Sequence, residues 1–176
     1  MDKQILDIIN GIPIWKGNIE IKKLEGGITN ENYLVINNKN RYVVRLGKDI
    51  PEHLVSRSNE LIASKAAAKC GLSPDVIYHS EGILVLDFIK SKTLTNKDIK
   101  KNITKIIPII KKIHKEMPNN VYGQSQIFWV FHVIHNYAKF LKDKNSQHIK
   151  ILDTLVKKSQ QIENISSPFE IVFGHN

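Results

Sequence analysis

The chain has 176 residues, 41% of them hydrophobic and 24% charged, which is enough for one sizeable core and too little for two full domains of ordinary size. Its 26 Lys+Arg against 17 Asp+Glu give a formal charge of +9, yet Arg41, Arg45 and Arg57 are its only arginines. A surface that reads nucleic-acid phosphates recruits the guanidinium fork as well as lysine, so the charge reads as a compositional Ile/Lys/Asn bias and not as a nucleic-acid partner.

The opening segment MDKQILDIIN carries acids among its apolar residues, unlike a signal peptide, and predicts a short amphipathic edge helix closed by Asn10-Gly11 and Pro13. From Ile19 the pattern turns to strands: IEIKKLEG, the polar loop GGITNEN, YLVIN, the turn Asn37 to Asn40, and RYVVRLG. Pro51-Glu52 opens a long helical stretch, rich in alanine in its second half and stopped by Gly71 and Pro74. DVIYHS and GILVLDFI follow as two strands around Ser80-Glu81-Gly82. After Lys90 the period becomes helical. Over Asn96 to Met117, Ile99, Ile103, Ile106, Ile107, Ile110, Ile113 and Met117 mark a kinked helix or two abutting helices, because Pro108 inside a helix costs about 3 kcal/mol or forces a kink. Two further amphipathic helices run through Ile127 to Leu141 and Ile149 to Ile162, and a strand-like FEIVF precedes Gly174, His175 and Asn176. The single cysteine, Cys70, excludes an intramolecular disulfide, and no apolar run is long enough to span a bilayer. The expectation is a soluble, cytoplasmic protein with no membrane partner.

Several segments, taken together, carry a resemblance. GGITNENYLV resembles the nucleotide loop of the choline/ethanolamine kinase and aminoglycoside phosphotransferase superfamily, and RYVVRLGKD its third strand. SRSNELIASKAAAKCGLSPDVIY resembles its lobe-bridging helix and next strand, ILVLDFIKSKTL its hinge, and FGHN the start of its catalytic motif. The resemblance runs from about Ile19 to Asn176, and its Asn after His is the choline/ethanolamine kinase form. It implies a protein-kinase-like α+β fold: an antiparallel five-stranded nucleotide-binding lobe with one bridging helix over residues 1–89, then a partial helical lobe over residues 90–176.

The residue roles follow from the same resemblance. Gly26 and Gly27 permit close backbone approach to phosphate oxygens, with Thr29 and Asn30 as side-chain donors, although the loop taken alone reads more readily as a hairpin rich in turn residues. Arg45 stands where protein kinases place the lysine that holds the nucleotide phosphates, and Glu60 matches the glutamate that pairs with that cation. Arg57 either braces the structure or is exposed. Asp87, Phe88 and Ile89 match the hinge against adenine. His132 and His135 are spaced three apart on a helix, but no carboxylate or cysteine nearby completes a metal site, so no metal ligands are assigned. His175 and Asn176 open the catalytic loop, and the catalytic Asp and the Mg²⁺ ligands of the family fall after them. The expected parent reaction is ATP- and Mg²⁺-dependent phosphorylation of a small amino alcohol, with a truncated chain inactive alone. An aminoglycoside kinase or a non-catalytic interaction module stands as the alternative, and a dimer through the exposed helical face is a further expectation.

Overall fold

Cross-strand register among three central strands decides how the sheet is built. Tyr33 and Val35, Val44, and Val85 are fully buried, and in the register of the sheet Tyr33 faces Val44 and Val44 faces Val85. Residues directly opposite one another point to the same side, so these side chains form one closed face. The intervening residues Asn32, Leu34, Val43, Arg45, Leu84 and Leu86 line the other. The structure, a computed structural model, describes residues 2–26 and 29–166. Gly27, His175, Asn176 and the strand expected at FEIVF lie outside the described residues.

The sheet has five antiparallel strands: β1 (Ile19–Leu24), β2 (Glu31–Asn37), β3 (Asn40–Leu46), β4 (Val76–Ser80) and β5 (Ile83–Asp87), in spatial order β1-β2-β3-β5-β4. The β2–β3 hairpin pairs Asn37 with Asn40, and Asn38 takes the left-handed conformation that a tight two-residue turn requires (φ 57°).

The N-terminal helix α1 (Lys3–Asn10) differs from its expected place at the edge. Ile9 and Ile12 are buried in the core of the closed face, with Ile5, Ile14 and Trp15 against it. The Trp15 indole N–H donates to the Ile9 carbonyl at 2.6 Å, and the buried Asn37 side chain both accepts from Lys16 N–H and donates to Lys16 O. These polar ties fold the segment after α1 back onto the sheet, which the helix's apolar spacing alone does not specify.

The helix expected from Pro51 also starts later. Pro51–His53 form a single 3₁₀ turn, Leu54 is left-handed (φ 55°), and Ile50 pairs with Val55, so the chain leaves helical geometry before re-entering it. Ser56 then caps α2 (Arg57–Lys69) by accepting from Asn59 N–H. At the other end Gly71 (φ 66°) closes the helix, with its N–H on Ala68 O and Leu72 N–H on Ala67 O. Ala66, Cys70 and Met117 form a second small core with Leu72, Ile113 and Val121 around it.

In α3 (Asn96–Glu116) a Thr95/Asp98 capping box sets the start, and Pro108 is carried inside the helix. The departure from helical geometry is at Asn102 (φ −115°, ψ 17°) and not at the proline. The Asn102 side-chain amide donates to Asp98 O at 2.8 Å, so a side chain competes with the backbone for a helical acceptor. The chain forms two compact units divided between Ser125 and Gln126. The second holds α4 (Val130–Asp143) and α5 (Ile149–Glu163), where Phe131, Ala138 and Leu152 are buried and Trp129 Nε1 donates to Glu163 Oε1 at 2.7 Å.

Because Ile9 is fully enclosed, Ile9→Ala is expected to lower unfolding stability by about 2–4 kcal/mol in urea titration. A loss below about 0.5 kcal/mol, typical of a surface substitution, would return α1 to the edge of the fold.

Candidate functional site

The opposite face of the sheet, called the open face below, carries an apolar strip of Leu34, Val43, Leu84 and Leu86 with Arg45 at one end; Leu34 and Val43 are partly exposed, while Leu84 and Leu86 are buried. Arg45 is paired across the sheet with Asn32 on one side and Leu84 on the other, while Tyr42, three residues earlier, pairs with Asp87. At the rise of a strand, Arg45 and the level of Asp87 are therefore about 10 Å apart.

Glu60 lies in the first turn of α2 and accepts from two arginines. Arg45 Nη1 donates to Oε1 at 2.5 Å and Arg57 Nη1 donates to Oε2 at 2.8 Å. The Glu60 side chain is 19% exposed, Arg57 16% and Arg45 32%, so Arg45 is the member most open to solvent. Burial alone would push the Glu60 carboxyl up, but the hydrogen bonds and positive charges of Arg45 and Arg57 outweigh it and hold the pKa below the usual carboxylate range. Two guanidinium charges against one carboxylate leave the trio at +1.

The same two arginines are tied to the loop between β1 and β2, Arg57 directly and Arg45 through Asn32 of β2. Arg45 Nε donates to Asn32 Oδ1 at 3.2 Å, and Asn32 Nδ2 donates to Gly26 O at 3.1 Å. Arg57 Nη2 donates to Thr29 O at 2.9 Å, and its Nε donates to Lys48 O at 3.0 Å. A chain of hydrogen bonds thus runs Gly26, Asn32, Arg45, Glu60, Arg57, Thr29, with the loop closing it. Gly26 has a φ of 95°, a conformation that glycine tolerates without strain.

The expected loop and cation residues are therefore brought together. Thr29 contributes its carbonyl here, whereas Asn30 Oδ1 is buried with no hydrogen-bond partner among the described residues. The hinge residues lie at the far end of the apolar strip. Asp87 N–H donates to Asp75 O, and Phe88 N–H donates to Arg41 O, so both donors are occupied within the fold. Ile89 is exposed, and the Arg41 guanidinium stands 5.9 Å from the centre of the Phe88 ring. A cleft of about 580 Å³ opens along the loop, lined by Lys23, Glu25, Gly26, Asn30 and Gly47. A second, of about 860 Å³, includes Arg45, Lys48, Glu60, His79 and Leu84.

Sequence reasoning passed over Asn32 and Gly47 and left Arg57 undecided. Arg57 had a signal, the i,i+3 spacing to Glu60 in a chain with three arginines. Asn32 and Gly47 had none, because their roles depend on cross-strand register. A Cβ on Gly47 would lie 2.6 Å from Asn30 Oδ1 and 2.7 Å from Arg57 Nη2, so this position has no room for a side chain.

The family model of choline/ethanolamine kinase matches residues 21–176. The chain belongs to the choline/ethanolamine kinase family. It is 31% identical over 180 residues to the probable ethanolamine kinase A of Dictyostelium discoideum, a match covering 90% of this chain and 50% of that protein. The chain thus spans about half the length of this curated relative. Among solved structures it is similar to the choline kinase of Cryptosporidium parvum Iowa II, with a TM-score of 0.66 at 19% identity over 93% of this chain and 51% of that one. It is also similar to the choline kinase LicA of Streptococcus pneumoniae, with a TM-score of 0.67 at 21% identity over 93% of this chain and 57% of that one. LicA in complex with AMP matches with a TM-score of 0.51 at 22% identity over 82% of this chain and 56% of that one. These likenesses establish the protein-kinase-like α+β fold. Among the described residues no helix is long and apolar enough to cross a membrane.

The lowered pKa of Glu60 fixes the sign of a pH effect. Its ionised form stabilises the fold fully above the unfolded carboxylate pKa of about 4.3, and that contribution disappears as pH falls through the lower folded-state value. Glu60→Gln is expected to be less stable than the parent by about 2 kcal/mol at pH 7, with the gap narrowing below about pH 4. Chemical denaturation at a series of pH values measures it, and a gap that is constant with pH would contradict the assignment.

Proposed function

We propose that this chain forms the nucleotide-binding part of an ATP-dependent kinase that transfers the γ-phosphoryl group to the hydroxyl of a small amino alcohol such as choline or ethanolamine. The observation that carries this reading is the Arg45–Glu60 pair at one end of an apolar strip whose other end is Asp87 to Ile89. A nucleotide laid along that strip has its base against the partly exposed Leu34 and Val43, backed by the buried Leu84 and Leu86, and its phosphates at Arg45, with the +1 trio favouring the anionic end. Loop N–H groups around Gly26 add donors to the phosphate oxygens. In this reading residues 1–89 are the nucleotide lobe and residues 90–176 begin the helical lobe. His175 and Asn176 open the catalytic loop.

Magnesium belongs to this reading as the companion ion of ATP. Among the described residues no three His, Cys, Asp or Glu side chains stand together as a metal site. No described residue is assigned to the ion, and no step is routed through it. The family match supports the amino alcohol as acceptor in preference to an aminoglycoside.

Calorimetric titration of the full chain with Mg·ATP is expected to show binding, weakened about 10-fold or more in Arg45→Ala through loss of charge-assisted hydrogen bonds. Absence of binding by the parent chain would overturn the reading.

A further expectation, self-association, is supported by Ile99, Ile103 and Ile107, which form an exposed i, i+4, i+8 stripe on α3. Light scattering should show a mass that rises with concentration and falls to that of one chain in Ile103→Lys. A single-chain mass at all concentrations argues against it.

A further inference from the structure

We propose that Arg57 is a positioning residue that joins the β1–β2 loop and Arg45 into one unit, so that the phosphate-facing groups are set before a ligand arrives. The inference rests on the nucleotide reading above, which counts Arg57 only for its charge, and gives that residue a positioning role.

The guanidinium of Arg57 donates in three directions: Nε to Lys48 O, Nη1 to Glu60 and Nη2 to Thr29 O. Its backbone N–H donates to Asp49 Oδ1 at 2.7 Å. With these contacts and little exposure it faces the fold and not a ligand, and it acts through its neighbours. Two effects follow. First, Glu60 would neutralise Arg45 if they were alone; a second guanidinium on the other carboxylate oxygen restores a net positive charge where Arg45 is the more exposed member. Second, the loop is tied at Gly26 through Asn32 to Arg45 and at Thr29 through Arg57, and both ties end on the same carboxylate. A displacement of either arm is transmitted to the other through Glu60.

Gly47 gives this arrangement its room. A Cβ there would stand 2.7 Å from Arg57 Nη2 and 2.8 Å from Arg57 Cζ. A side chain hydrogen-bonded in three directions has no cheap way to yield. A lysine at position 57 cannot substitute, because one ammonium group does not span three acceptors in fixed directions as a planar guanidinium does.

The test compares the parent chain with Arg57→Lys and Gly47→Ala. The readouts are affinity for Mg·ATP, affinity for adenosine, and amide hydrogen exchange at Thr29 and Asn30. Arg57→Lys keeps a cation beside Glu60 but loses the carbonyl contacts. Its Mg·ATP affinity is expected to fall about 10-fold, with adenosine affinity unchanged within about twofold and loop amides exchanging about 10-fold faster. Gly47→Ala leaves every charge in place and is expected to give the same signature, so it carries the test if Arg57→Lys does not fold. Parent-like loop exchange in the folded variants, with affinities for ATP and adenosine either unchanged or lowered equally, would overturn the positioning role. Failure of the parent itself to bind Mg·ATP would sink the nucleotide reading instead, while faster loop exchange in the variants would still support Arg57 as the residue that holds the loop.

Discussion

The geometry of the open face depends on one half-buried carboxylate that accepts from two guanidinium groups. Without Glu60, Arg45 and Arg57 would stand as neighbouring like charges in a partly desolvated place, and each would turn toward water. With it, Arg45 extends along the sheet face, Arg57 reaches the loop, and α2 is held at its first turn against β3. The arrangement also explains why α2 begins where it does. Ser56 caps the helix three residues before Asn59, which brings Glu60 one position later into reach of both arginines. A helix running unbroken from Pro51 would have no reason to place that carboxylate there.

The sheet divides its labour by face. Tyr33, Val35, Val44 and Val85 are sealed under Ile9 and Ile12 and supply the stability of a small lobe. On the other face Leu34 and Val43 are only partly buried, whereas Leu84 and Leu86 of β5 are buried as well, so β5 is covered on both sides. Period-two geometry thus gives the same strands two faces of different exposure.

Much of this was legible in the sequence, and the boundary of legibility has a physical form. The five strands, the turn around Asn38, and the Arg45 and Glu60 pair follow from local pattern and from the family resemblance. What was missed involves contacts between distant parts of the chain. The burial of α1 depends on Asn37 and Trp15 drawing Lys16 and Ile9 to the sheet, contacts that span up to 21 residues. Asn32 acquires its role only when β2–β3 register sets it opposite Arg45. Pro108 was the obvious breaker in α3, yet the irregularity is at Asn102, whose side chain offers the Asp98 carbonyl a competing donor. Proline rules describe what a backbone lacks, and they are silent on what a nearby amide supplies.

The two tryptophans are divided between the compact units. Trp15 stands 5.4 Å, ring centre to ring centre, from Tyr42 in the unit that carries the sheet, and Trp129 stands 5.3 Å from Phe131 in the unit of the last two helices. Each unit therefore carries its own intrinsic fluorophore. Replacing one tryptophan at a time with phenylalanine makes the emission report on a single unit, so the loss of structure in one can be timed against the other without any added label.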